Sequence, residues 1–366
     1  MRKLGISIYA DKTSVEDMKD YIEAAAEAGF SRIFSCLLSV QKSREEIIAE
    51  FLDINLFAKS KGFEIIVDVS PRVFGELGIS YDDLSFFKDI GADGLRLDGG
   101  FGGQQEAMMS FNEYGLKLEM NMSVDTSYID TVMDYLPNQY NMLASHNFYP
   151  HPYSGLTEDH FQRTTARFKK HGLRTAAFIA SKNPQAYGPW PVDYGMVTLE
   201  SHRDLPMHVQ LKDYVARNVI DDIIISNFRP SEEEMIELKK VNLQKLNLKV
   251  ELDEGISELF TKIVLGEPHF NRGDINVSMI RSTMSRVKYR GQGFPLINAP
   301  EMIKRGDIVI ESDDFGHYAG ELNIAKQDMV NTGRSNVVGR VVEEEVFLLD
   351  QIKPWQKFEF SLWKSI

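Results

Sequence analysis

The sequence predicts an α/β protein: a (β/α)8 barrel, then a smaller, mainly β domain. Three observations predict it. Short apolar runs alternate with amphipathic helical stretches eight times, which calls for a parallel sheet. Eight such units in roughly 240 residues is the usual size of a closed barrel. After residue 243 the alternation stops, and short strand-like runs separated by turn signals take over. The expected domains are therefore 1–243 and 244–366.

The eight expected strands are 3–9, 32–39, 64–70, 94–98, 116–123, 142–149, 173–180 and 221–228. Helical stretches between them carry capping signals: Ser14 and Gly29, Ser43 and Gly62, Thr157 and Gly172. An open doubly wound sheet is the rival architecture. Strand parity favours closure. Arg96 and Asp98 share one face of their strand, as do Lys117, Glu119 and Asn121, Asp68 and Ser70, and Ser7 and Tyr9. Parallel strands covered by helices on both faces read as continuous apolar runs. A closed barrel explains the polar face by turning it inward near the mouth. In the second domain the expected strands include LNLKVEL, DINVSMI, DIVIES, ELNIAKQDM, NVVGRVV and EEVFLLD.

Composition limits the function. The 366 residues carry a net charge of −13, which argues against nucleic acid as partner. Any anionic substrate then needs a local basic cluster. The single cysteine, Cys36, rules out an intramolecular disulfide and fits a reducing, cytoplasmic setting. No apolar run is long enough to span a membrane. The N-terminus reads as a first strand rather than a signal peptide. Self-association is left open.

Barrel enzymes place reactive groups at the C-terminal ends of their strands. That rule selects Tyr9, Ser39, Asp68, Asp98, Glu119, Asn121, His146, Asn147, Tyr149 and Asn227, with His151, Glu200, His202 and Arg203 from loops. Asp98 and Glu119 are the expected catalytic pair, on neighbouring strands and facing inward. Two carboxyls so placed suit glycoside hydrolysis, in which one donates a proton and the other attacks or activates water. Asp68 is the alternative partner, and an ion network with Arg96 or Lys117 is the competing structural explanation. The run SHNFYPHPYSG (145–155) offers aromatic faces and amides to a sugar. Its histidines lack metal-site spacing, so no metal is expected. The long loop 181–207 ends in TLESHR, where Glu200, His202 and Arg203 could clamp a substrate or cap the next helix. GGFGG (99–103) could bring backbone amides to a ligand. Arginines of the second domain (272, 281, 286, 290, 305, 334 and 340), Arg281 among them, could grip phosphate.

KLGISIYADKTS, GLRLDGGFGG, LEMNMS, HNFYPHPYSGL, GMVTLESHR, HFNRGD and IRSTMSR together resemble the MupG family of bacterial 6-phospho-N-acetylmuramidases over essentially the whole chain. The resemblance implies a barrel followed by a cyclophilin-like β domain. It also implies intracellular hydrolysis of the β-1,4 bond of N-acetylmuramic acid 6-phosphate–N-acetylglucosamine in peptidoglycan recycling, without a cofactor. The substrate would then be a small phosphorylated disaccharide. Two other functions compete: a sugar-phosphate aldolase or isomerase using Lys117 as a Schiff base, and a non-catalytic carbohydrate-binding surface protein.

Overall fold

The computed structural model describes residues 2–37, 43–191 and 194–363. Ser39 lies outside them. The chain divides into two compact units. The first comprises 1–211 and 218–240; the second comprises 212–217 and 241–366.

The first unit is a closed barrel of eight parallel strands: β1 (Lys3–Ile8), β2 (Arg32–Cys36), β3 (Glu64–Val69), β4 (Gly94–Leu97), β5 (Lys117–Asn121), β6 (Met142–Ser145), β7 (Arg174–Ile179) and β8 (Asp222–Ile225). Closure is direct, because β1 pairs with both β2 and β8. All eight expected strands form, each somewhat shorter than its apolar run.

The Ser14 and Ser43 caps act as expected, whereas Thr157 precedes its helix, Glu158–Lys169, without a side-chain cap. Ser14 accepts a hydrogen bond from the Asp17 amide and starts helix α1 (Val15–Glu27). Ser43 forms a capping box with Glu46 and starts α2 (Arg44–Ser60). Such caps satisfy amides that would otherwise be left over at a helix start, and each is worth about 1 kcal/mol. Gly29 and Gly62 follow with φ of 84° and 88°, a conformation that stops a helix.

Inside the barrel, side chains fill stacked layers. The lowest is ionic. Arg32 at the start of β2 pairs across the interior with Glu119 of β5 and Asp222 of β8. Asp222 also meets Arg174, whose Nη1 lies 4.0 Å from Glu64, and Glu64 binds Lys3 at 2.8 Å. Above this sit edge-to-face aromatics: Phe34 with Phe178 at 5.2 Å, and Phe148 with Phe178 at 5.1 Å. The inward polar face was expected near the mouth. It instead occupies both ends of the interior, with the aromatics between.

The second unit is mainly β. Its seven-stranded sheet runs β10 (His269–Phe270), β17 (Lys357–Leu362), β9 (Leu246–Leu252), β16 (Ser335–Val341), β13 (Asp307–Glu311), β14 (Leu322–Ala325) and β11 (Met279–Ser282). A two-stranded ribbon pairs β12 (Met302–Ile303) with β15 (Met329–Val330). Two sequence expectations need correction. EEVFLLD is not a strand but part of a run of 3-10 turns, Glu343–Gln351. Its buried residues are 345, 346, 348 and 349, a spacing of three that suits helical turns rather than alternation. KFEFSL, which was not expected as a strand, is β17, and its alternating Phe358 and Phe360 are buried. Among the described residues, no helix is long and apolar enough to cross a membrane.

Candidate active site

The C-terminal mouth of the barrel holds a second charged group, built around Arg96. This residue sits on β4 with its side chain inward, 3% exposed. Its Nη1 donates to Asp68 Oδ1 at 2.6 Å and reaches Asp98 Oδ1 at 3.4 Å. Its Nε donates to Ser145 Oγ at 2.7 Å, and its Nη2 donates to Asn147. One planar guanidinium thus organises groups from β3, β4 and β6, as a rigid fork of donors can.

The two carboxylates differ in surroundings. Asp68 is 4% exposed, whereas the Asp98 side chain is 42% exposed. Burial pushes the Asp68 carboxyl up to about 6; the nearby Asp98 charge adds to that, and Arg96 opposes it. Because both oxygens bind one nitrogen, their separation cannot exceed the sum of those two distances. Retaining glycosidases hold their carboxyls about 5–5.5 Å apart.

These groups open into a cavity of about 240 Å³, whose walls are Phe34, Cys36, Phe148, Tyr149, Pro150, Phe178 and Trp190, with Asp68, Arg96, Asp98 and Asn147 at its polar side. Aromatic walls with a few convergent polar groups are the usual make-up of a small-molecule site. Asn121 stands beside it, with its amide nitrogen donating to the Asp98 carbonyl at 3.0 Å.

Several expected site residues lie elsewhere. Glu119 does not face Asp98 across the mouth. It is fully buried in the lower ionic layer, paired with Arg32. Strand parity put it inside correctly, but parity does not tell height along the axis. His146 points out of the barrel. It is fully buried, its Nε2 lies 2.9 Å from Thr165 Oγ1, and its ring packs 4.7 Å from Phe161. Burial holds it down to about 3, so it stays neutral. Tyr9 is buried too, and its hydroxyl donates to the Ser226 carbonyl.

Glu200 and Arg203 form a clip between two loops. The Glu200 carboxylate takes Arg203 Nε and Nη2 at 2.7 and 2.6 Å, and the amides of Tyr153 and Gly155 at 2.9 and 2.7 Å. Arg203 Nη1 also donates to the carbonyls of Tyr149 and Tyr194, each at 3.1 Å. Arg203, with the two amides, holds the Glu200 carboxyl down at about 2. Both side chains are committed to shaping the loops, and His202 between them is fully buried. His151, at the loop surface, places Nδ1 2.7 Å from the Pro152 carbonyl. Asn227 is buried and donates to the Ser181 carbonyl at 3.1 Å.

Lys117 lies at the opposite end of the barrel, donating to the Tyr140 carbonyl at 2.9 Å. That position removes the geometric basis for a Schiff base at the mouth. The glycine loop 99–103 does gather amides, but a carboxylate of the chain already fills it. Glu106 accepts from the amides of Phe101 and Gly103, at 2.5 and 2.6 Å. A Cβ on Gly100 would collide with the Tyr128 hydroxyl, which itself donates to Glu106. In the second unit Arg281 is paired with Glu321 at 2.7 Å, and Arg286 meets the same carboxylate at 3.0 Å.

Sequence reasoning considered Arg96 only as an ion partner of Asp98 and missed its hold on Asp68, Ser145 and Asn147. Its signal was present: an arginine between two aspartates in strand-end positions.

Family models for 6-phospho-N-acetylmuramidase match residues 4–240 with the N-terminal part and 246–361 with the C-terminal part. No curated protein matches the chain significantly. A solved structure of an uncharacterised B. cereus protein is 45% identical, covers 98% of this chain and 99% of its own, and superposes with a TM-score of 0.90. A conserved Enterococcus faecalis protein of unknown function shares the fold at 24% identity, with 98% and 96% coverage and a TM-score of 0.69. With both halves matched and a barrel mouth carrying paired carboxylates, the chain belongs to the 6-phospho-N-acetylmuramidase family and is a glycosidase.

Proposed function

We propose that the reaction occurs in the barrel mouth, with Asp68 as general acid and Asp98 as its ionised partner. The substrate is N-acetylmuramic acid 6-phosphate–N-acetylglucosamine, cut at its β-1,4 bond in the cytoplasm, where sugar phosphates are made and retained. The observation that carries this reading is the shared hold of Arg96 on two carboxylates of unequal burial. Unequal environments separate an acid from a base among like groups.

Asp68 gives its proton to the glycosidic oxygen as the C1–O bond breaks, and N-acetylglucosamine leaves with that proton. Asp98 attacks the anomeric carbon and forms a glycosyl ester. The Asp68 carboxylate then takes a proton from water, whose oxygen displaces Asp98. The outcome is retention of configuration. Asn147, Asn121 and Tyr149 orient the sugar, and Trp190, Phe34 and Phe178 provide apolar walls. Arg203 and Arg281 are excluded as phosphate ligands in this reading, because each is already paired with a carboxylate.

The test is incubation with phosphorylated and unphosphorylated muramyl disaccharides, followed by mass spectrometry and by proton NMR of the first-formed anomer. Cleavage of the 6-phosphate with β product first is expected. An α product first, or equal cleavage of both disaccharides, would contradict the reading.

A further inference from the structure

Trp190 differs from the deeper aromatic walls of the barrel-mouth cavity. Phe34 and Phe178 are buried, at 1% and 0% exposure, so their rings close its inner side. Trp190 lines the same cavity yet is 38% exposed, so its indole reaches from the cavity to solvent. The indole N–H donates to no protein group among the described residues. A large apolar ring with a polar handle suits a surface that is part dry and part wet.

The chain holds this indole in place. Trp190 stands between Pro189 and Pro191. Each proline fixes its own φ, and Pro191 also restricts Trp190 to an extended backbone. Just before them, Tyr187 exchanges two backbone hydrogen bonds with Phe228, at 2.5 and 2.7 Å. Lys12 Nζ donates to the Gly188 carbonyl at 3.1 Å. The backbone under the ring is therefore set before a ligand arrives, and little ordering cost falls on binding.

Size decides which part of a substrate the indole meets. The cavity holds about 240 Å³. Pockets that enclose a drug-sized molecule hold roughly 300–1,000 Å³. One sugar ring fits here, and a phosphorylated disaccharide does not. On the mechanism proposed above, the ring attacked at its anomeric carbon lies inside, against Asp68 and Asp98. The departing sugar is then left at the open end, where Trp190 is exposed.

We propose that Trp190 is the specificity-determining platform for the departing sugar. The ring substituents of N-acetylglucosamine are equatorial, so each face presents C–H groups, and one face lies on the indole. The indole N–H donates to a hydroxyl or acetyl oxygen of the same sugar. This inference rests on the barrel-mouth reading of the function and adds the leaving-group side to it.

Two substrates test it, with the native full chain, Trp190→Ala and Trp190→Phe. One is the 6-phosphorylated muramyl disaccharide. The other is the β-fluoride of N-acetylmuramic acid 6-phosphate, which loses fluoride and carries no second sugar. Trp190→Ala should lower kcat/KM for the disaccharide, relative to that for the fluoride, by about tenfold to a hundredfold, the effect of truncating a tryptophan anchor. Trp190→Phe should recover part of that ratio. The fluoride reaction also reports whether each variant is folded. An equal fall for both substrates, or an unchanged ratio, in a chain whose native form cleaves both would overturn the proposal alone. A native chain that cleaves neither would overturn the barrel-mouth reading, and this inference with it.

Discussion

Two arginine–carboxylate groups inside the barrel, around Arg32 and around Arg96, differ in one respect. Around Arg32 the charges are sealed: Glu119 and Asp222 are fully buried. Around Arg96 one carboxylate is buried, the other is in solvent, and both line an open pocket. A sealed network holds strands together and binds nothing. An unsealed one with unequal burial separates proton affinities, as general acid catalysis requires. Solvent access on one side, rather than residue type, distinguishes the two.

The largest effect should come from breaking the open group. Asp68→Asn should lower kcat by about two to four orders of magnitude, since a positioned acid contributes that much. The native enzyme should lose kcat as pH rises through about 6, because burial keeps the Asp68 proton up to that point and deprotonation removes the acid. A pH–rate profile of native and variant enzyme checks both. An unchanged alkaline limb in the variant would reassign the acid.

Breaking the sealed group should act on stability instead. Glu119→Ala should cost about 3–5 kcal/mol of unfolding free energy, because Arg32 loses a buried counter-charge. Denaturant unfolding measures this. If kcat collapsed at a temperature where the variant is folded, Glu119 would rejoin the catalytic candidates.

The smallest effect is expected at the loop clip. Glu200→Gln should cost about 1 kcal/mol at neutral pH, in line with a part-exposed ion pair and its hydrogen bonds. The folded-state carboxyl titrates near 2, below its unfolded value. Its contribution is therefore present above the unfolded value and is lost as pH falls towards 2. Thermal melts of both proteins at neutral and acid pH should converge at the acid end.

Most of the barrel was legible in the sequence, because strand–helix alternation, caps and parity are local. Ser14, Ser43, Gly29 and Gly62 mark ends that the structure places within a residue or two. The site was half legible. Asp98 and Asn147 come to the mouth, and Asp68, the alternative partner, joins them. Glu119 did not follow, because the stagger of a closed barrel sets the height of an inward residue and a single strand carries no record of stagger. His146 was misplaced for a related reason: just beyond a strand end, the alternation that assigns faces no longer holds. Glu200 and Arg203 were read as a substrate clamp or a helix cap, yet they bind each other, and Glu200 also takes backbone amides of a loop some 45 positions earlier.

The carboxylate of Glu106, held within its own ring of backbone amides, gives the β4 side of the entrance its shape before anything arrives. A loop that waits for a guest anion must freeze on binding and lose affinity to that ordering. Here the chain's own Glu106 carboxylate already takes that place, with Tyr128 donating to it as well. On the proposed mechanism, an incoming sugar would meet beside Asp98 a loop whose anion place the chain has already filled.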